Sequence, residues 1–163
     1  MRRTHHTILA VCEGDAEEQL VCVIRDLYLP RDCGTTLHRK NARGHGGAGA
    51  LRLALELQKS TGYDRYAVLV DTDQHWGNNE RALAAENAIV AIEQHPCIEA
   101  VLLRIDGQTA YAQTRENKAA FRDRYGDDAS RDGLIGRKFT RQMFDAARNR
   151  VEALDQLLRL VRR

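Results

Sequence analysis

Three acidic residues stand at the ends of two apolar segments that lie far apart in the chain. Glu13 follows the apolar run 7–12, and Asp71 and Asp73 follow the run 66–70. Converging carboxylates repel one another and are costly to remove from water, so a hard cation such as Mg²⁺ or Mn²⁺ suits them. Such an ion can clamp a phosphodiester and activate water. The alternative is that each acid merely caps the helix that follows its strand.

The two apolar runs must position these acids. Both are short and continuous, without the alternation of a half-exposed strand, which predicts strands of a parallel sheet that are buried on both faces. The carboxyl ends of parallel strands lie on one edge of the sheet, where α/β proteins bind their ligands. We therefore expect Glu13, Asp71 and Asp73 to converge at this edge, although 58 residues separate Glu13 from Asp71 in the chain.

The rest of the chain alternates between strand and helix patterns, which favours an α/β fold with right-handed crossovers. Asp15 followed by Glu18 predicts the N-cap and capping box of a first helix, which Pro30 ends. The glycine-rich segment 41–49 is predicted to be a loop. The further predictions are a strand at 35–39, a helix from about 51 to Gly62, a helix at 80–86, a helix at 98–105, a short helix near 117–125 and a long amphipathic helix at about 141–161. Residues 87–94 could extend the helix at 80–86 or form a fourth strand, and we favour the strand because His95-Pro96 then breaks the chain before the next helix.

Composition limits the classes of protein. The 163 residues suit one domain, with 43% hydrophobic and 29% charged residues. No segment approaches the ~20 apolar residues of a membrane span, and the apolar run after the basic N-terminus is too short for a signal peptide, so we expect a cytoplasmic protein. The four cysteines form no C-x-x-C pair, which disfavours zinc.

Two basic clusters are candidates for phosphate contacts, although each could equally be a solvated surface. Arg39, Lys40 and Arg43 flank the glycine-rich segment, and a second cluster precedes the long C-terminal helix. The segment lacks the Gly-Lys-Ser/Thr ending of a P-loop, which disfavours ATP hydrolysis. His75 and Trp76, just after Asp73, could either stack on a base or pack the loop down. The second cluster consists of Arg137, Lys138 and Arg141.

Three segments, taken in order, resemble motifs of Toprim-superfamily proteins of the RloB-like and OLD-nuclease-like kind. The segment 13–17, E-G-D-A-E, resembles the signature E-G-x-T-E; the segment 68–73, V-L-V-D-T-D, resembles a buried strand ending in D-x-D; and 96–104 resembles the P-C-F-E-x-W-L-L stretch of RloB-like proteins. Ala16 replaces the family threonine, which leaves capping to Asp15. Ile98 and Ala100 stand where RloB-like proteins have aromatic residues, which indicates a divergent branch.

The resemblance implies a Toprim-like fold, which is a compact four-stranded parallel sheet flanked by helices. A single domain 1–163 would comprise a core of about 5–106 and a C-terminal helical extension of about 107–163. The implied metal is Mg²⁺ or Mn²⁺, held by Glu13, Asp71 and Asp73, and family nucleases often supply a downstream lysine. The catalytic residues predicted in this way are Glu13, Asp71, Asp73, Glu17, Glu99 and Lys138.

The function implied by the resemblance is a metal-dependent nuclease that acts on DNA or RNA, in prokaryotic phage defence, with an ATPase as a possible partner. One alternative is a catalytically silent Toprim module that acts through partner binding in a defence complex. Another is a receiver-like phosphoacceptor domain, which the D-x-D spacing fits poorly. The apolar stripe of the C-terminal helix could pack on its own sheet or against a second subunit, so a homo-oligomer is left open.

Overall fold

A computed structural model describes residues 5–162. Within that range the chain forms four strands and eight helices. The strands are β1 His6–Cys12, β2 Thr35–Asn41, β3 Arg65–Asp71 and β4 Ile89–Gln94. The helices are α1 Asp15–Tyr28, α2 Gly46–Ser60, α3 Asn78–Glu86, α4 Ile98–Ile105, α5 Thr114–Tyr125, α6 Leu134–Lys138, α7 Arg141–Ala147 and α8 Glu152–Val161.

The strands form one parallel sheet in the order β2-β1-β3-β4, flanked by helices, which confirms the predicted α/β fold. The strand at 87–94, which could also have extended the preceding helix, is β4. The chain order reverses around β1, because β2 pairs on one side of it and β3 on the other. Cys12 lies opposite both Asn41 and Leu69, so the loops after β1, β2 and β3 meet at one edge. Such a reversal leaves a crevice beyond the strand ends.

The sheet is covered on both faces, as its continuous apolar strands require. Alternate residues of β1 enter different clusters: Ile8 and Ala10 pack with α1, α4 and the C-terminal helices, whereas Leu9 and Val11 pack with α2 and α3. Helices α5 to α8 contribute to the first cluster, which also contains residues of all four strands. The apolar stripe of α8 is therefore buried on the chain's own sheet. No helix in the described range is long and apolar enough to cross a membrane.

The prediction of one long C-terminal helix at 141–161 was wrong, because two helices, α7 and α8, occupy this segment with a break between them. Val151 at the break is extended, with φ −120° and ψ 98°, and its side chain is buried in the core. Arg148 pairs with Asp155 across the break (2.8 Å), and the Arg150 guanidinium donates to the carbonyl of Ile105 (3.0 Å) at the end of α4. These tertiary contacts outweigh a helical pattern that continues through the break in the sequence.

Two boundaries also differ from their sequence patterns. The N-cap of α1 is Gly14, and Glu17, rather than Glu18, reaches back to it; Asp15 is the first helical residue. Helix α2 begins at Gly46, inside the segment that was predicted to be a loop. The reason is close packing, since a Cβ added to Gly47 would lie 3.0 Å from the Trp76 ring, so the glycines let the start of α2 approach the loop after β3.

Candidate metal centre

Glu13 and Asp71 meet at the point where the chain order reverses. Glu13 directly follows β1 and Asp71 ends the adjacent strand β3. The backbone N–H of Asp71 donates to Glu13 Oε2 (2.9 Å), and the N–H of Glu13 donates to the carbonyl of Leu69 (3.1 Å). The convergence expected from strand geometry is therefore present for this pair, and backbone hydrogen bonds hold it in place.

Asp71 lies in an environment that disfavours its charge. Burial, followed by the negative charges of Glu17, Glu13 and Glu99, raises the pKa of Asp71 far above its usual range. Its Oδ1 accepts a hydrogen bond from the N–H of Ile98 (2.9 Å), the first residue of α4. Asp71 thus does cap a helix, as the simpler interpretation proposed, but α4 rather than the next helix α3.

Glu17 is buried at the first turn of α1, with 5% of its surface exposed. Its Oε2 accepts from the N–H of Gly14 (3.0 Å). The side-chain amide of Gln94 donates both to Glu17 Oε1 (3.2 Å) and to Asp71 Oδ1 (3.1 Å). Burial, and then the charges of Glu13 and Glu99, raise the pKa of Glu17 to about 7. Glu17 is both the capping residue of α1 and a member of the acidic cluster.

Glu99 carries the least satisfied oxygen of the site. It lies in the first turn of α4 with 7% of its surface exposed, and its Oε2 has no hydrogen-bond partner among the described residues. An unsatisfied buried polar atom of this kind destabilises a fold by about 1–3 kcal/mol. Glu99 lines a cavity of about 380 Å³ together with Glu13, Glu17 and Asp71, and we call this the acidic cavity. A ligand in this cavity would give the oxygen a partner.

Asp73, the third predicted metal ligand, is not among the residues that line the acidic cavity, and it has a structural partner. It is exposed, and its Oδ2 accepts a hydrogen bond from the hydroxyl of Thr114 (2.6 Å), the first residue of α5. Burial is the main cause of the raised pKa of Glu13; the hydrogen bond from the Asp71 N–H lowers this pKa, and the charge of Asp73 raises it by a smaller amount. Asp73 therefore fastens α5 to the acidic edge while remaining close to Glu13.

Helix α5 brings the basic residues of the site. Lys118 and Arg122, one and two turns after Thr114, line the acidic cavity, and Lys118 partly offsets the raised pKa of Glu13. Lys138, the lysine predicted from the resemblance, is exposed on α6 and is not among the lining residues. Neither Lys118 nor Arg122 was identified from the sequence. Thr114, Lys118 and Arg122 follow one another at intervals of four residues, which places all three on one face of a helix, and this spacing is the signal that could have found them.

The two residues His75 and Trp76 separate in the structure. Trp76 is buried, and its Nε1 donates to Glu93 Oε1 (2.9 Å), so it packs the loop down. His75 is exposed, has a φ of 54°, and exerts a favourable electrostatic effect on ionised Glu13. Trp76 is therefore not available to stack on a base, and His75 is not among the residues that line the cavity.

The chemistry of the donor set fits a divalent cation. Within residues 5–162, no group of three or more His, Cys, Asp and Glu side chains is arranged so that it could hold a metal ion in this structure. The set nevertheless suits Mg²⁺ or Mn²⁺, because crowded carboxylates raise one another's pKa and Glu99 Oε2 is unpartnered among the described residues. Glu13, Asp71 and Glu99, which line the cavity, are the residues that would hold the ion, and Asp73 is outside this lining.

Comparisons with protein-family models, with curated proteins and with solved structures find no match for this chain. The resemblance to Toprim proteins therefore stays a prediction, and the functional argument depends on the residues of the site.

Proposed function

We propose that this protein is a Mg²⁺- or Mn²⁺-dependent enzyme that hydrolyses phosphodiester bonds in DNA or RNA. The observation that carries the proposal is the cavity at the carboxyl edge of the sheet, where Glu13, Glu17, Asp71 and Glu99 are crowded together and one buried oxygen of Glu99 lacks a partner among the described residues. Carboxylates in this arrangement are unfavourable for the fold alone, and functional sites are where such an arrangement is retained.

Glu13, Asp71 and Glu99 would hold the cation, and Glu13 would also act on the attacking water, whereas the basic residues contact the substrate. When bound, the cation neutralises the carboxylates and polarises the phosphodiester. Glu13 Oε2 is fixed by the Asp71 N–H, so its Oε1 can accept a proton from the attacking water. Lys118 can neutralise the charge that develops on the phosphate oxygens, whereas Arg122, which also lines the cavity, pairs with Asp128 (2.8 Å).

The resemblance to RloB-like and OLD-like Toprim proteins supports the same reaction class and adds the context of phage defence, in which an ATPase partner is possible. The second candidate, a silent module that acts through partner binding, is distinguished by the same experiment that tests catalysis.

The test is cleavage of labelled single- and double-stranded DNA and RNA in Mn²⁺, in Mg²⁺ and in EDTA. We expect cleavage that requires the cation and is lost in Glu13→Gln, while the variant keeps the circular dichroism of the parent. Equal cleavage by Glu13→Gln would assign the activity to a contaminating nuclease. A protein that cleaves none of these substrates in either cation would contradict the proposal and favour the silent module.

Lys118→Ala is expected to lower the cation-dependent kcat/KM by about 10²-fold, which is typical for the loss of one group that stabilises transition-state charge. Lys138→Ala is the matched control, because both lysines are exposed but only Lys118 lines the acidic cavity. Both variants should unfold within about 0.5 kcal/mol of the parent, as exposed substitutions generally do. Equal activity losses in the two variants would contradict the assigned role of Lys118.

A further inference from the structure

A second cavity adjoins the acidic one across the ends of β1 and β2. Its volume is about 740 Å³, and its basic lining residues are Arg39, Lys40 and Arg43. The two cavities share Gly14, Asp15 and Gly44, so a chain-like ligand bound in one can continue into the other. We call this second recess the basic cavity.

The acidic residues of the basic cavity already have partners inside the protein. The side-chain amide of Asn41 donates to Asp15 Oδ1 (2.7 Å) and to Glu18 Oε2 (3.0 Å), and Arg39 pairs with Glu18 (3.0 Å). The described residues that line this cavity include three positive and two negative side chains, a net charge of +1. Lys40 and Arg43 are exposed without an ion-pair partner in the described range, so their charges remain to attract an anion.

The loop that carries Arg43 is fastened to the strand end that carries Glu13. The N–H of Ala42 donates to the carbonyl of Cys12 (2.8 Å), and the N–H of Gly44 donates to the carbonyl of Glu13 (2.9 Å). The N–H of Arg43 itself donates to Asn41 Oδ1 (2.7 Å). The distance between the basic cavity and the acidic edge is thus set by backbone hydrogen bonds, and a ligand need not order this loop when it binds.

The lining of the basic cavity indicates which part of a nucleic acid it contacts. None of the described residues that line it is aromatic, so they offer no platform on which a base can stack. Lysine and arginine side chains are the usual partners of phosphate oxygens. From this lining and its continuity with the acidic cavity, we infer that Lys40 and Arg43 bind the phosphates that lie next to the scissile phosphate along the nucleic-acid strand. This binding does not depend on base sequence. This inference rests on the proposed function.

The other basic cluster has a different environment. Arg137 donates to the carbonyl of Asp132 (3.2 Å), and Arg141 lies over the ring of Tyr28, 4.8 Å from its centroid, and pairs with Asp145 (3.7 Å). None of Arg137, Lys138 and Arg141 lines the basic or the acidic cavity. The structure thereby separates two clusters that were equivalent candidates in the sequence.

The test compares Lys40→Ala/Arg43→Ala with Arg137→Ala/Lys138→Ala, which removes the same charge from the other cluster. Fluorescence anisotropy would measure the binding of a short labelled single-stranded DNA in Ca²⁺ at several salt concentrations. The first variant should bind about tenfold more weakly, with a slope of log K against log salt smaller by about 1.4, which is about 0.7 for each phosphate that the variant no longer neutralises. Oligonucleotides of different base sequence should lose the same factor.

An equal loss in the control variant, or an unchanged salt slope in Lys40→Ala/Arg43→Ala, would overturn the inference. Thermal unfolding with and without Mn²⁺ separates this failure from failure of the proposed function. If Mn²⁺ stabilises both the parent and Lys40→Ala/Arg43→Ala, and the two proteins bind DNA with the same affinity, the inference alone fails. If Mn²⁺ does not stabilise the parent, the proposed metal-dependent function is contradicted whatever the DNA-binding result.

Discussion

Asp71→Asn is expected to make the protein more stable in EDTA and at the same time to abolish its cation-dependent cleavage. Burial and the charges of Glu17, Glu13 and Glu99 disfavour the ionised Asp71 carboxylate, and an amide of nearly the same shape removes that repulsion. The oxygen of the new amide would still accept the N–H of Ile98, so the cap of α4 is kept. We expect a gain on the order of 2 kcal/mol, or roughly 4–8 °C in Tm for a chain of this size.

The loss of activity should be about 10³-fold or more, because the residue proposed to hold the cation is gone. Mn²⁺ is expected to stabilise the native parent by mass action, by about 2.7 kcal/mol at a concentration of 100 Kd, and Asp71→Asn should lose this gain. The measurements are thermal unfolding at about pH 7.5 in EDTA and in Mn²⁺, where an unperturbed aspartate is ionised, together with the cleavage assay.

Asp64→Asn is the matched control at the opposite edge of the sheet. There the N–H and hydroxyl of Thr7 lower the pKa of Asp64, so its charge is favourable in the folded state and the substitution should not stabilise the protein. It should also keep the response to Mn²⁺. An Asp71→Asn variant that is less stable than the parent in EDTA, or that still gains stability from Mn²⁺, would refute the assigned role of Asp71.

The stability of the cation-free protein is expected to fall as the pH rises from about 5 to about 8. The pKa of Glu17 is raised from 4.5 to about 7 in the folded state. A carboxyl group with a raised folded-state pKa stabilises the fold fully below its unfolded pKa, and this stability is lost as the pH rises through the folded pKa. For Glu17 the loss is on the order of 2–3 kcal/mol, and Asp71 adds to it in the same direction.

Urea unfolding in EDTA at about pH 5 and about pH 8 measures this loss. Carboxylates with lowered pKa values, such as Glu93 and Asp155, stabilise the fold when they are ionised. The stability that they contribute is lost only at pH values below this window. Glu17→Gln should flatten the dependence, and saturating Mn²⁺ should reduce it because the cation favours the ionised carboxylates. Stability that rises across this pH range in EDTA, or a dependence unchanged in Glu17→Gln, is the result that contradicts this prediction.

The sheet and the position of its acidic edge could be predicted because both depend on local patterns. The runs before Glu13 and Asp71 are apolar without interruption, and such runs form strands covered on both faces. Once the strands are parallel, the residues at their ends lie on one edge whatever the length of chain between them. The convergence of Glu13 and Asp71 needed no further information.

The cap of α1 could not be predicted in this way, since Gly14 with Glu17 and Asp15 with Glu18 have the same three-residue spacing. The choice depends on which glutamate is buried, and packing against Gln94 and Asp71 on the sheet decides it. The end of α7 has a similar origin, because Arg148 and Arg150 find partners beyond their own helix. A pattern of apolar spacing carries no information about such partners.

The acidic edge is thus a property of the sequence, whereas its surroundings are a property of the tertiary structure. Glu13 and Asp71 are placed together by two apolar runs and by the geometry of parallel strands. Only the packing of α5, fastened to Asp73 through Thr114, selects Lys118 rather than Lys138 as the lysine of the cavity. Burial then raises the pKa values of Glu17 and Asp71, because desolvation and the repulsion between carboxylates depend on distances that no local pattern contains.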